Sequence, residues 1–144
     1  MRKMKTPGRW WAEVEMQVQF FDLDPMQIVW HGNYVKYLEV ARCALLDKID
    51  YNYSQMKASG YMWPIIEMNL RYANPATFGQ RLILRAEIVE WENRLRIDYL
   101  ISDAASGRRL NKASTTQVAV DIHSGDMCFV SPPVLFQKLG VQAP

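Results

Sequence analysis

The sequence predicts an α+β fold in which an antiparallel sheet is built around one long helix. Three observations carry this. Between Tyr34 and Ile49, Val35, Leu38, Ala41, Leu45 and Ile49 recur at three- and four-residue spacing, the period of a helix. From residue 81 onward, two runs of alternating apolar and polar residues are separated by Glu92-Asn93, the pattern of paired strands. The order is strand, helix, then strands, so the helix offers an apolar body that the later sheet must cover. This pattern by itself leaves several α+β topologies open.

The chain of 144 residues reads as one domain over 1–144. At that length folding buries roughly two-thirds of the accessible surface, enough for a true core. Apolar residues make up 49% and charged residues 22%, an ordinary globular balance. The formal net charge of +2 argues against nucleic acid as the main partner. Cys43 and Cys128, with His31 and His123, form no ligand spacing for a metal and no disulfide framework. No cofactor is expected. The opening Met1-Arg2-Lys3-Met4-Lys5 is basic but no apolar stretch follows, so neither a signal peptide nor a membrane span is expected. The expected location is the reducing cytoplasm.

Taken in order, residues 1–9 read as a loose basic arm. Val14, Met16, Val18 and Phe20 alternate with Glu13, Glu15, Gln17 and Gln19, a half-buried strand. The helix from Tyr34 to about Ile49 also carries Tyr37, Val40, Cys43, Ala44 and Leu46 on its flanks. It is therefore apolar nearly all round and is expected to be buried. Gly32 or Asn33 is its expected N-cap, and Glu39 with Arg42 its one polar edge. Ser54 to Ser59 reads as a short helix capped by Ser54 and stopped by Gly60. An extended segment runs from about Met62 to Ala73, with Pro64 near its start, and Asn74-Pro75-Ala76 breaks it. Strands follow over 81–91, 94–102 and 109–122, the last with Val118, Val120 and Ile122 on one face. Leu135, Phe136 and Leu139 suit a short terminal helix.

The chemistry concentrates between residues 22 and 34. Asp22 and Asp24 flank Leu23, Pro25 follows, and Val29-Trp30-His31-Gly32-Asn33-Tyr34 leads into the helix. Acids placed before a helix start lie near backbone N–H groups that lack helical partners. The same donors can hold an oxyanion. On spacing alone, Asp24 reads first as a turn or N-cap aspartate before Pro25.

Asp-x-Asp-Pro followed by His-x-Asn-Tyr resembles the active-site segment of the hotdog-fold acyl thioesterases, in the 4-hydroxybenzoyl-CoA thioesterase-like branch. Glu39 and Arg42 in the following helix, and Arg71-Tyr72-Ala73-Asn74-Pro75-Ala76 after it, extend the likeness over roughly residues 13–130. The resemblance implies a sheet wrapped around a central helix. It implies that Asp24 is the catalytic carboxylate, and that a backbone N–H at about His31 polarises the thioester carbonyl. It implies a homodimer or homotetramer whose far site wall comes from a neighbour's segment around Trp63 to Glu67. Trp30, Asn33, Tyr34, Trp63 and Arg94 are the expected substrate-binding residues. Two positions depart from the family. Gln27 stands where a glycine is usual, so the local backbone or pocket floor is expected to differ. The turn Glu92-Asn93-Arg94, basic in aroyl-CoA members, has only Arg94.

The implied activity is hydrolysis of an acyl-CoA or acyl-carrier-protein thioester to a carboxylic acid and a free thiol. Asp24 would serve as base or nucleophile. A non-catalytic acyl-binding module of the same fold is the alternative. A dehydratase of this fold would need a His-x-x-Phe-Pro-Gly-His-like stretch, which this sequence lacks, as it lacks a Gly-x-Ser-x-Gly elbow. Arg81, Arg85, Arg94, Arg96, Arg108 and Arg109 are placed to steer an acidic carrier protein.

Overall fold

The computed structural model describes residues 9–144. The basic arm expected over 1–9 thus lies, but for Arg9, outside the described residues. The elements are β1 (Trp11–Gln17), a 3-10 turn (Phe20–Asp22), α1 (Asn33–Lys48), α2 (Tyr53–Ala58), β2 (Tyr61–Met62), β3 (Ile65–Tyr72), β4 (Arg81–Glu90), β5 (Leu95–Asp103), β6 (Arg109–Gln117), β7 (Val120–Asp121) and α3 (Pro133–Leu139). Five strands form one sheet in the order β1-β4-β5-β6-β3, antiparallel throughout. β2 and β7 pair separately.

The period-two pattern sets the core face. Leu82, Leu84, Ala86 and Ile88 of β4, with Leu95, Ile97, Tyr99 and Ile101 of β5, are all buried. α1 lays Tyr34, Tyr37, Leu38, Ala41, Leu45 and Leu46 into this face and packs across β1, β4 and β5. The helix and the sheet cover each other's apolar faces, which is the main source of their stability.

The helix is not buried all round, as its composition suggests. Lys36, Val40, Cys43 and Asp47 remain exposed, one stripe at helical spacing. Arg42, only 3% exposed, is held by Glu39, by the Tyr53 hydroxyl at 2.5 Å and by the Tyr53 ring.

Other boundaries differ for physical reasons. β1 ends at Gln17, and Phe20 is 72% exposed. Asp22 Oδ2 accepts the Gln19 N–H at 2.9 Å and curls the chain into the 3-10 turn. α2 starts at Tyr53 rather than after Ser54. Asn52 accepts the Tyr53 N–H while Gln55 accepts the Asn52 N–H, a capping box two residues earlier. The strand expected over 62–73 is two strands, divided at Trp63-Pro64. The strand expected over 109–122 breaks after Gln117. There the Val118 N–H turns to the Pro64 carbonyl, and β7 pairs with β2 instead.

Candidate active site

The site begins with a three-residue hairpin loop. Leu23 and Val29 form a bridge, the Asp24 N–H donates to the Ile28 carbonyl at 2.8 Å, and the Gln27 N–H donates to the Asp24 carbonyl at 2.9 Å. Pro25 supplies the fixed φ that the second turn position favours. The loop closes with Gln27 at φ +65°, the left-handed position that completes this hairpin type and suits glycine best. Gln27, standing where the family usually has glycine, thus takes a backbone conformation that glycine adopts freely. Asp24 Oδ1 accepts the Met26 N–H at 2.8 Å, which holds the carboxylate against its own turn. Oδ2 has no hydrogen-bond partner among the described residues.

Asp22 ties this loop to α1. Its carbonyl accepts the Trp30 N–H at 2.9 Å and Asn33 Nδ2 at 2.8 Å. Its Oδ2 accepts the Tyr37 hydroxyl at 3.0 Å. Burial, and then the Asp22 carboxylate, push the Tyr37 phenol well above its ordinary value, so Tyr37 remains a donor across the working pH range. The Val29 N–H donates to the Ala76 carbonyl, which joins the loop to the segment after β3.

The chain then turns into the helix. Gly32 is the N-cap and offers no capping side chain. A Cβ there would lie 2.4 Å from the Trp30 ring, so only glycine allows Trp30 to cover the turn. The Asn33 N–H is taken by the Trp30 carbonyl at 2.9 Å. The N–H groups of His31 and Gly32 have no backbone acceptor among the described residues. Such donors before a helix are suited to an anion.

A cleft of about 330 Å³ opens at this point. Asp24, Ile28, Val29, His31 and Tyr34 line one side, and Tyr72, Ala73, Asn74 and Pro75 the other. The Tyr72 hydroxyl donates to the His31 carbonyl at 2.8 Å, and its ring meets Tyr34 edge-on at 5.2 Å. Burial raises the Tyr34 phenol, against a lowering hydrogen bond from the Ala76 backbone. No metal-holding cluster of His, Cys, Asp and Glu occurs among the described residues.

Of the expected site residues, Asp24, His31 and Tyr34 meet at the cleft. Trp30 lies beside it, 49% exposed, over Gly32 and next to the His31 ring. Asn33 directs its side chain to Asp22 rather than to the cleft. Trp63 is 5% exposed, with its indole N–H on the Tyr51 hydroxyl, and is not among the cleft's lining residues. Arg94 stands at the β4–β5 turn in an ion pair with Glu90 at 3.0 Å. Tyr72 and Asn74 were not anticipated as site residues. For Tyr72 and Asn74 the available signal was the Arg71-to-Ala76 motif.

Solved structures share this architecture. The chain superposes on Slr0204, a 1,4-dihydroxy-2-naphthoyl-CoA thioesterase from Synechocystis, with a TM-score of 0.80 at 21% identity, covering 90% of this chain and 96% of that one. It superposes on the 12:0-ACP thioesterase from Umbellularia californica with a TM-score of 0.80 at 13% identity, covering 91% of this chain and 50% of that one. The fold is thus the hotdog fold of the thioester hydrolases. The model of the thioesterase-like superfamily matches residues 18–139, and the chain belongs to that family. Among its relatives is "Putative acyl-CoA thioesterase YneP" of Bacillus subtilis, 30% identical over 128 residues that make up 88% of each chain.

Proposed function

We propose that the protein, as a single domain over 1–144, hydrolyses an acyl-CoA or acyl-carrier-protein thioester at the cleft between Asp24 and Tyr72. One observation carries the reading. Among the described residues, the Asp24 carboxylate keeps one oxygen without a hydrogen-bond partner on the cleft that His31 also lines, and the N–H groups of His31 and of the next residue, Gly32, have no backbone acceptor. The amides stabilise the oxyanion as the thioester carbonyl becomes tetrahedral, an interaction strongest in the transition state. Asp24 takes a proton from the attacking water, or attacks the carbonyl itself to form a mixed anhydride that water then hydrolyses, freeing the acid and Asp24. In both routes the C–S bond breaks and the thiolate leaves with a proton. His31 acts through its backbone rather than its ring.

Several features support a homodimer or a dimer of dimers. β3 is an edge strand of the sheet. It presents Ile66 and Tyr72 at 57% and 51% exposure, and an open strand edge is a template for pairing. Among the described residues no helix is long and apolar enough to cross a membrane. The free Cys43 and Cys128 suit a reducing cytoplasm.

The test is hydrolysis over a panel of acyl-CoA and acyl-carrier-protein thioesters, read by thiol release. Turnover that depends on Asp24 supports the reading. Saturable binding of the same thioesters with no release of thiol would make the protein a non-catalytic acyl-binding module. Label in the Asp24 carboxylate after single turnover in ¹⁸O-water identifies the nucleophilic route, with water attacking the anhydride at the Asp24 carbonyl.

A further inference from the structure

The N–H groups of His31 and Gly32, offered to the oxyanion, sit on two successive peptide units. The Trp30–His31 unit carries the first and the His31–Gly32 unit the second. Each unit is planar, so holding its carbonyl oxygen also sets the direction of its N–H. The Trp30 carbonyl is held by the Asn33 N–H at 2.9 Å. No backbone N–H reaches the His31 carbonyl among the described residues. Its partner is the Tyr72 hydroxyl, which donates to it at 2.8 Å. Only φ and ψ of His31 turn one unit against the other. With both carbonyls held, both donors are aimed.

Tyr72 is anchored as a strut would be. It is the last residue of β3 and pairs with Asn111 of β6. Just beyond it, the N–H groups of Ala73 and Asn74 both donate to the Leu110 carbonyl, at 2.9 and 3.2 Å. Asn74 Nδ2 donates to the Arg109 carbonyl at 2.7 Å, and Arg108 donates to Asn74 Oδ1 at 2.5 Å. The Tyr72 ring stands edge-on to the Tyr34 ring at 5.2 Å and to the His31 ring at 6.4 Å. Desolvation raises the Tyr72 phenol, so the hydroxyl keeps its proton and remains a donor. A hydrogen bond to a peptide oxygen also polarises the N–H of the same peptide. At 51% exposure, Tyr72 is not a core residue, and its hydroxyl serves no buried packing.

We propose that Tyr72 is a positioning residue for thioester hydrolysis: its hydroxyl, reaching across from β3, fixes the His31–Gly32 peptide and with it the aim of the donors that receive the oxyanion. This rests on the thioesterase reading above and adds a residue to its machinery. Tyr72 acts through the backbone of His31 and touches no reacting atom in this role. The donors matter most when the carbonyl oxygen gains charge, so loss of the hydroxyl appears in kcat and not in KM. Displacing such donors by roughly an ångström costs about 10²-fold in rate.

The test uses the full-length protein and Tyr72→Phe, which keeps the ring and removes the hydroxyl. The substrate is the acyl-coenzyme A with the highest kcat/KM in the panel. On it kcat should fall about 10- to 100-fold, with KM within about threefold and the melting temperature unchanged. An unchanged kcat overturns the proposal. So does a rise in KM alone, which would make Tyr72 a wall of the cleft and nothing more. Carbonyl polarisation separates positioning from a structural role. The same thioester, labelled with ¹³C at its carbonyl, is bound to Asp24→Asn and to Asp24→Asn/Tyr72→Phe. Its carbonyl stretching frequency should drop less on binding the double variant, and equal drops overturn the proposal. Relaxation of ¹⁵N in the ligand-free protein reads the aim without turnover. The His31 and Gly32 amides should lose order in Tyr72→Phe while those of α1 do not, and unchanged order overturns the proposal. If no thioester of the panel is hydrolysed and these two amides still lose order, only the hydrolytic reading fails.

Discussion

Asp24 is held at one oxygen and open at the other, and this division makes its substitution informative. In Asp24→Asn the amide keeps a carbonyl oxygen for the Met26 N–H, so the loop keeps its shape. The open carboxylate oxygen is what the chemistry loses. We expect kcat to fall by about 10²–10⁴, with kcat/KM falling equally and the melting temperature nearly unchanged. Wild-type turnover in this variant would remove Asp24 from the mechanism. Tyr37→Phe tests the support behind it. The phenylalanine fills the same space but leaves Asp22 Oδ2 with only the Gln19 N–H. About 1 kcal/mol of stability should be lost, measured by urea denaturation. A smaller fall in kcat than that of Asp24→Asn should accompany it, at unchanged KM. No change in either quantity would show that the Tyr37–Asp22 bond holds nothing in place.

At the scale of elements, the turn from Trp30 into α1 is the most constrained. A methyl group on Gly32 would meet the Trp30 ring at 2.4 Å, and either the ring or the helix start must give way. Gly32→Ala should fold, yet lower kcat by about 10², the cost of displacing donors by roughly an ångström. Circular dichroism together with kinetics would check this, and full activity would mean that Trp30 swings clear at no cost. Two acids at strand ends contribute to the acid dependence of the fold. Asp103 is held below its ordinary value of 3.8, first by Gln80 and then by Ser106. Asp121 is lowered by the N–H groups of Ser124 and His123. A depressed folded-state pKa gives stability that is full above the unfolded value and lost as pH falls through the folded one. The melting temperature should therefore drop more steeply for wild type than for Asp103→Asn/Asp121→Asn below pH 3.8. Parallel curves would contradict the assignment.

This scale also explains what could be read from the sequence. α1, β4 and β5 announce themselves through unbroken periodicity. Asp24, His31 and Tyr34 belong to one short stretch, so their meeting is local and visible. Tyr72 and Asn74 arrive from the far end of β3, and only the sheet order brings them opposite. Trp63 looks the same in sequence whether it faces a ligand or Tyr51. Its place depends on the break at Pro64, which an extended pattern conceals. Arg94 showed its charge but not its partner, because Glu90 sits across the bend between two strands. The cap of α2 was misplaced because Asn52 and Gln55 complete a box that Ser54 does not.

For the whole molecule, the proposed assembly predicts a dimer or tetramer mass by light scattering at micromolar concentration. A fully active monomer would sink it. β3 carries a further consequence. Its residue Tyr72 hydrogen-bonds His31, and the chain just beyond it forms a wall of the cleft, while its outer edge is the surface that the proposed dimer would pair. Whatever pairs with that edge also fixes the wall, so ligand binding and self-association become linked equilibria. Specific activity should then decline on dilution through the dimer dissociation constant, and a product analogue should tighten the dimer by the same factor by which dimerisation tightens the analogue. Sedimentation with and without the analogue measures both halves of that cycle, and factors that disagree would mean the edge and the cleft are independent.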